Sequence, residues 1–176
     1  FSHDGKYVAT GSVDTTVRIW DASNGELLRV LKGHAAEVGG VVFSPDGKLL
    51  FTSSEDGTLI IWDSSTGQLL RSLSEFTVYR VNFSPDGTRV AAATFHGLQV
   101  WMYEPNSAEP NTLNESEAIL TVPEAGAAVF SPDGKLVLTA LNDGTGRLWK
   151  TDGTGASLLA GHEKRITAAA FSTHRR

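Results

Sequence analysis

Phenylalanine returns along this chain at a nearly fixed interval, and that interval limits the fold more than any other feature. Phe1, Phe43, Phe83, Phe130 and Phe171 stand 42, 40, 47 and 41 residues apart. A tryptophan follows each of the first four, Trp20, Trp62, Trp101 and Trp149, at 19, 19, 18 and 19 residues. The wording between them recurs with changes: FSPDGKLLFTSSEDGTLIIWD runs from Phe43 to Asp63, FSHDG opens at Phe1, FSPDG reopens at Phe83 and Phe130, and FSTH begins at Phe171. A period of about forty residues means one small unit repeated, each copy burying its core against the next.

The punctuation inside a unit belongs to β-hairpins. Pro45-Asp46-Gly47 suits a tight turn, because proline presets the first corner and glycine accepts the positive torsion that follows. Asp56-Gly57 and Asp143-Gly144 mark a second turn, and Asn24-Gly25 and Thr66-Gly67 a third. Three turns define four short antiparallel strands. In the second unit they are expected at Val38–Phe43, Leu49–Ser54, Leu59–Trp62 and Gln68–Leu73. Runs such as Leu59-Ile60-Ile61-Trp62 and Leu136-Val137-Leu138 are apolar at consecutive positions, so both faces of each sheet should be covered. Four-stranded sheets stacked face to face are the blades of a β-propeller.

Gly33-His34 and Gly161-His162, with Trp20-Asp21 and Trp62-Asp63, resemble the Gly-His and Trp-Asp signatures of the WD-repeat (WD40) family, and the resemblance covers the whole chain. It implies an all-β fold, a propeller arc of about four four-stranded antiparallel blades within a larger ring. The blades would occupy residues 1–31, 34–73, 76–122 and 124–160, with the first strand of a further blade at 162–171. It also implies a buried polar tetrad of His34, Ser54, Asp56 and Trp62, in which the carboxylate holds the imidazole and the hydroxyl links it to the indole. Each member needs a partner, since an orphaned buried polar group costs about 1 to 3 kcal/mol. The other units depart from this set. The first keeps Ser12, Asp14 and Trp20. The third offers Ser74, Thr94 and His96 before Trp101, and the fourth Thr121, Leu141 and Asp143 before Trp149. Where the tetrad decays, stacking alone must hold the blade, and the third and fourth are expected to be softer.

Several positions vary while the frame is held. The residue before the tetrad acid or its stand-in is Val13, Glu55, Phe95 or Asn142, and the entry to the first strand brings Glu37, Tyr79, Arg80, Glu124, Lys164 and Arg165. In the family this region is the rim where partners dock, which makes these residues the candidate binding surface, with Tyr79, Arg80 and Phe95 as the expected anchors. Packing within a shortened turn is the alternative for Phe95. The longest unit carries its excess at residues 104–111, either a tolerated insertion or a docking loop.

The remaining features exclude more than they suggest. Ser54, His34 and Asp56 have the residue types of a hydrolase triad, but no strained GxSxG elbow presents the serine, so a structural role is expected and no catalytic residue is assigned. Five histidines stand in no tight ligand pair and cysteine is absent, so neither metal nor cofactor is expected. Asp46, Asp86 and Asp133 lack the alternation of a calcium loop, and Asn114-Glu115-Ser116 is a sequon of the kind that arises by chance. A net charge of -5, with basic residues scattered, gives no footprint for nucleic acid or an anionic membrane. No apolar run reaches the roughly 18 residues of a membrane helix. A reducing, cytoplasmic setting suits the lack of cysteine.

The expected function is therefore a non-catalytic WD-repeat scaffold for protein or peptide partners. The alternative is an accessory propeller of a larger enzyme, a signalling kinase or a prolyl-oligopeptidase-type peptidase. Open blade edges also favour self-association. Ile166–Phe171 repeats the first-strand wording that the unit of Ser12 and Trp20 lacks. Two readings of that match are open: a segment of a longer propeller, or two chains completing one another.

Overall fold

The computed structural model describes residues 1–74, 78–94, 97–103, 118–123, 125–166 and 168–172, with backbone alone for 78–80, 93–94 and 125–127. Fifteen strands are formed there and no helix. The first sheet holds β1 (Tyr7–Gly11), β2 (Val17–Asp21) and β3 (Leu27–Leu31). The second holds β4 (Val38–Phe43), β5 (Leu49–Ser54), β6 (Thr58–Asp63) and β7 (Leu69–Ser74). β8 (Val78–Phe83), β9 (Arg89–Thr94), β10 (Gly97–Met102) and β11 (Leu120–Val122) make the third. β12 (Ala125–Phe130), β13 (Leu136–Leu141), β14 (Gly146–Lys150) and β15 (Ala156–Leu159) make the fourth. Strands follow chain order in every sheet, so each is a meander closed by hairpin turns, as the punctuation implies.

The FSPDG wording is explained by the first of those turns. Ser44 Oγ donates to Asp46 Oδ1 at 2.6 Å and accepts the Leu49 N–H at 3.0 Å, while Asp46 Oδ1 accepts the Lys48 N–H at 3.1 Å. Gly47 sits at φ 71°, a left-handed position that costs glycine nothing. Ser2 with Asp4, Ser84 with Asp86 and Ser131 with Asp133 repeat the arrangement. Serine, aspartate and glycine are thus each required to lock a first strand to a second. At the third turn Asp63 Oδ1 accepts the N–H groups of Ser65 and Thr66, which accounts for the acid after Trp62.

Two compact units divide the chain, with the boundary inside β8 after Val81. In the first unit Val17, Ile19 and Leu31 of the first sheet pack against Val38, Phe43, Leu50, Ile60 and Trp62 of the second. The opposite face of the second sheet, Phe51, Leu59, Ile61 and Leu73, is buried too, which is why β6 is apolar at consecutive positions. In the second unit Ala91, Leu98, Val100, Leu120 and Val122 of the third sheet pack against Phe130, Val137 and Leu141 of the fourth.

The expected strand at 162–171 is not formed among the described residues there; Thr167 lies outside them. A strand exists only with a ladder partner, and β12 to β15 already satisfy one another.

Candidate interaction rim and its supporting network

In the second sheet one buried network ties three chain segments together. His34 is the fixed point. Its Nδ1 faces Asp56 Oδ2 at 3.1 Å and Thr58 Oγ1 at 3.0 Å, and its Nε2 lies 2.7 Å from Thr52 Oγ1. Trp62 Nε1 donates to the same Thr52 hydroxyl at 2.8 Å. Asp56 Oδ2 also accepts the Ala35 N–H at 2.7 Å, and Oδ1 accepts both the N–H and the hydroxyl of Thr58. Burial raises the pKa of Asp56, but the Thr58 hydroxyl, the Ala35 and Thr58 N–H groups and His34 outweigh it, and the carboxyl falls to about 2. An ionised Asp56 holds the proton on Nδ1, which leaves Nε2 to accept from Thr52. Gly33 must lack a side chain because a Cβ there would stand 2.8 Å from the Trp62 ring edge.

The tetrad hydroxyl expected at Ser54 is corrected by this geometry. Ser54 Oγ donates to Ala36 O at 3.1 Å and accepts the Asp56 N–H at 3.1 Å, so it braces the linker backbone. Thr52 and Ser54 share a face of β5, and the pairing of Leu50 with Trp62 and of Thr52 with Ile60 is what brings Thr52 under the indole. The same ten-residue offset recurs elsewhere. Trp20 Nε1 donates to Thr10 Oγ1 at 3.0 Å and Trp149 Nε1 to Thr139 Oγ1 at 3.1 Å. Asp14 and Asp143 accept from Thr16 and Thr145 as Asp56 does from Thr58. The fourth sheet therefore keeps three parts of the network, Thr139, Asp143 and Trp149, rather than the decayed set expected. It lacks the imidazole because Thr121, at that place in the repeat, already belongs to β11. In the third sheet Ala92 stands where Thr52 does, by the pairing of Ala92 with Gln99.

Below the rim this frame is satisfied; above it the varied side chains stand in solvent. Glu37 and Glu55 are exposed and joined through their backbones, Glu55 N–H to Glu37 O at 3.0 Å. Val13, 73% exposed, sits beside them, its turn tied to β4 by the Val38 N–H bonding Ser12 O at 3.1 Å. In the second unit Asn142, Lys164 and Arg165 are exposed, and a Cβ on Gly144 would lie 2.7 Å from His162 O and 3.0 Å from Lys164 O. The linker at 162–164 thus crosses the Asn142 turn as 34–37 crosses the Glu55 turn. Glu37 with Glu55 makes an acidic patch, and Lys164 with Arg165 a basic one. Tyr79 and Arg80 lie in β8, their side chains outside what is described, and Phe95, Glu124 and residues 104–111 lie outside the described residues.

The family model for the WD domain, G-beta repeat, matches residues 1–21, 25–63 and 119–150, more than half of the chain. The chain belongs to the WD-repeat family. The unmatched stretch contains the third sheet, where the threonine is replaced by Ala92. Among curated relatives, the small ribosomal subunit protein RACK1y of Oryza sativa subsp. japonica is 31% identical over 150 residues, 84% of this chain and 45% of that protein. The general transcriptional corepressor TUP1 of Saccharomyces cerevisiae is 45% identical over 38 residues, 22% of this chain and 5% of that protein. The nuclear distribution protein PAC1 of Mycosarcoma maydis is 52% identical over 40 residues, 23% of this chain and 9% of that protein. This WD-repeat chain spans less than half the length of each. Among solved structures, the Cps50 (Swd1) β-propeller domain of Myceliophteria thermophila superposes with a TM-score of 0.73 at 23% identity, over 93% of this chain and 55% of that one. The computationally designed Ika8 protein gives 0.74 at 24% identity, over 95% and 50%. Both likenesses bear on the fold.

Proposed function

We propose that this WD-repeat chain is a non-catalytic scaffold whose rim receives a protein or peptide partner. The observation that carries this reading is the contrast at Glu37 and Glu55: two exposed side chains on backbone that is itself hydrogen-bonded to a buried, satisfied network. A rigid base with interchangeable side chains lowers the ordering cost of binding and leaves specificity to the rim. Val13 and Asn142 occupy the same place in their repeats as Glu55, Lys164 and Arg165 enter the rim at the linker, and Tyr79, Arg80, Phe95 and Glu124 join it by their place in the repeat. The acidic pair favours a partner segment carrying lysine or arginine, and no nucleic acid or membrane is part of the reading. Hydrolysis is not, because the Ser54 hydroxyl serves Ala36 O and both His34 nitrogens are engaged by other groups. Among the described residues no helix is long and apolar enough to cross a membrane. The cytoplasm is the compartment this reading assigns.

The test is selection of a random peptide library on the folded protein, followed by affinity measurement on two variants. Glu37→Ala/Glu55→Ala should weaken the recovered peptides by at least about tenfold, as loss of central interface contacts does. Lys48→Ala/Ser65→Ala, at the opposite end of the second sheet, should leave them unchanged. The reverse result would put the binding face at the other end.

A further inference from the structure

The first sheet carries every partner of a tetrad histidine but no histidine. Thr10, Asp14, Thr16 and Trp20 stand at the same offsets as Thr52, Asp56, Thr58 and Trp62. They hold the same geometry, with Trp20 Nε1 on Thr10 Oγ1 at 3.0 Å and Thr16 Oγ1 on Asp14 Oδ1 at 2.6 Å. The free Oδ2 of Asp14, which in Asp56 faces His34, is met instead by exposed Arg18 at 3.3 Å. The sheet also lacks an inner strand at the edge of β1, where β4, β8 and β12 lie in the others. The face that bears Trp20 is bare. Trp20 is half-buried and Thr10 exposed, whereas Trp62 and Thr52 at the same places are 2% and 0% exposed under the first sheet.

The missing parts are present elsewhere in the chain without partners of their own. Residues 159–166 follow the pattern of 31–38: Leu159 for Leu31, Gly161-His162 for Gly33-His34, and Ile166 for Val38. Ala168 to Phe171 then continue as Gly40 to Phe43 do, yet no strand forms there and His162 is exposed.

We infer that, in the 176-residue chain by itself, a second copy supplies these parts, its His162 completing the Thr10–Asp14–Trp20 network and its 166–171 segment adding to β1 as the inner strand. The register follows from β4 on β5, where Val42 pairs with Phe51 and Val41 with Thr52: Ala170 meets Ala9 and Ala169 meets Thr10. Alanine at three successive positions suits close approach to Gly11 and Thr10. Phe171 takes the place of Phe1, which is 85% exposed. His162 Nε2 then accepts from Thr10, and Nδ1 donates to Asp14, displacing Arg18. The donor's fourth sheet arrives with the strand and covers Trp20 with Leu138 and Leu148, the counterparts of Ala9 and Ile19. One copy covers 55% of the Cps50 propeller domain, so two copies have about its length, and reciprocal exchange gives a closed dimer.

Sedimentation velocity on the 176-residue protein should show a discrete dimer. Ala169→Pro removes a ladder N–H outside any formed sheet, so it should leave the unfolding midpoint of the monomer intact and abolish the dimer. His162→Ala should weaken the dimer in the same way. Since the chain has no cysteine, Ala9→Cys/Ala170→Cys should oxidise to a disulfide between two chains. A monomer at every concentration, a disulfide within one chain, or association indifferent to the proline would each overturn the inference.

Discussion

Thr52→Val is the substitution that tests the network most directly. Valine keeps the shape of threonine, and the site is fully buried, so no cavity opens and no water replaces the lost hydroxyl. Two groups lose their partner together: the Trp62 N–H, bonded at 2.8 Å, and His34 Nε2, at 2.7 Å. At about 1 to 3 kcal/mol for each buried orphan, less the easier burial of a methyl than a hydroxyl, the expected loss is about 2 to 4 kcal/mol. That is a large share of the roughly 5 to 15 kcal/mol that holds an ordinary domain. Urea unfolding followed by tryptophan fluorescence reads it as a lowered midpoint at unchanged slope. Two comparisons isolate the cause. Ser54→Ala removes one bond to Ala36 O and one acceptor for the Asp56 N–H, for about 1 kcal/mol. Thr10→Val makes the same chemical change as Thr52→Val where the hydroxyl is exposed, so water takes the Trp20 N–H and the loss stays below about 1 kcal/mol. A Thr52→Val loss no larger than that of Ser54→Ala would refute the reassignment of the tetrad hydroxyl.

Stability should fall in acid through Asp56: its carboxyl is lowered from 3.8 to about 2 in the folded chain, so its contribution is complete above the unfolded value and is lost as pH falls through the folded one. Against Asp56→Asn, the parent should lose about 2 kcal/mol of advantage between about pH 5 and pH 2, measured by urea midpoints; a constant difference would contradict the ion pair with His34. Gly33→Ala should cost about 1 to 3 kcal/mol, because its Cβ would lie 2.8 Å from Trp62 and 3.3 Å from Leu69, and a thermal midpoint equal to the parent's would show the indole free to move. Thr15→Gly should instead stabilise by about 1 kcal/mol, since Thr15 holds φ at 70° where the equivalent turns have Gly57 and Gly144, and a lowered midpoint would mean the threonine side chain contributes more than its backbone costs.

The turns and strands were legible because their causes are local. Serine, aspartate and glycine at fixed offsets close a turn through hydrogen bonds spanning five residues or fewer, and β4 and β5 fall at the residues the punctuation marks. The blade architecture followed from the period and from consecutive apolar positions, which only a sheet covered on both sides explains. His34, Asp56 and Trp62 were likewise visible as unlike residues at fixed distances from the repeat's landmarks. The bridging hydroxyl was not. Thr52 and Ser54 lie on one face, two residues apart, and strand register across β5 and β6 alone decides which of them reaches the indole. One signal in the sequence pointed to the answer, a threonine ten residues before Trp20, Trp62 and Trp149 but not before Trp101. What only the tertiary structure decided is where the repeat is incomplete. The first sheet keeps the partners of a histidine it does not have, and the 162–171 segment keeps a histidine and a strand without a sheet. Strand formation and burial are properties of pairs of surfaces, and no single segment determines whether its pair is present.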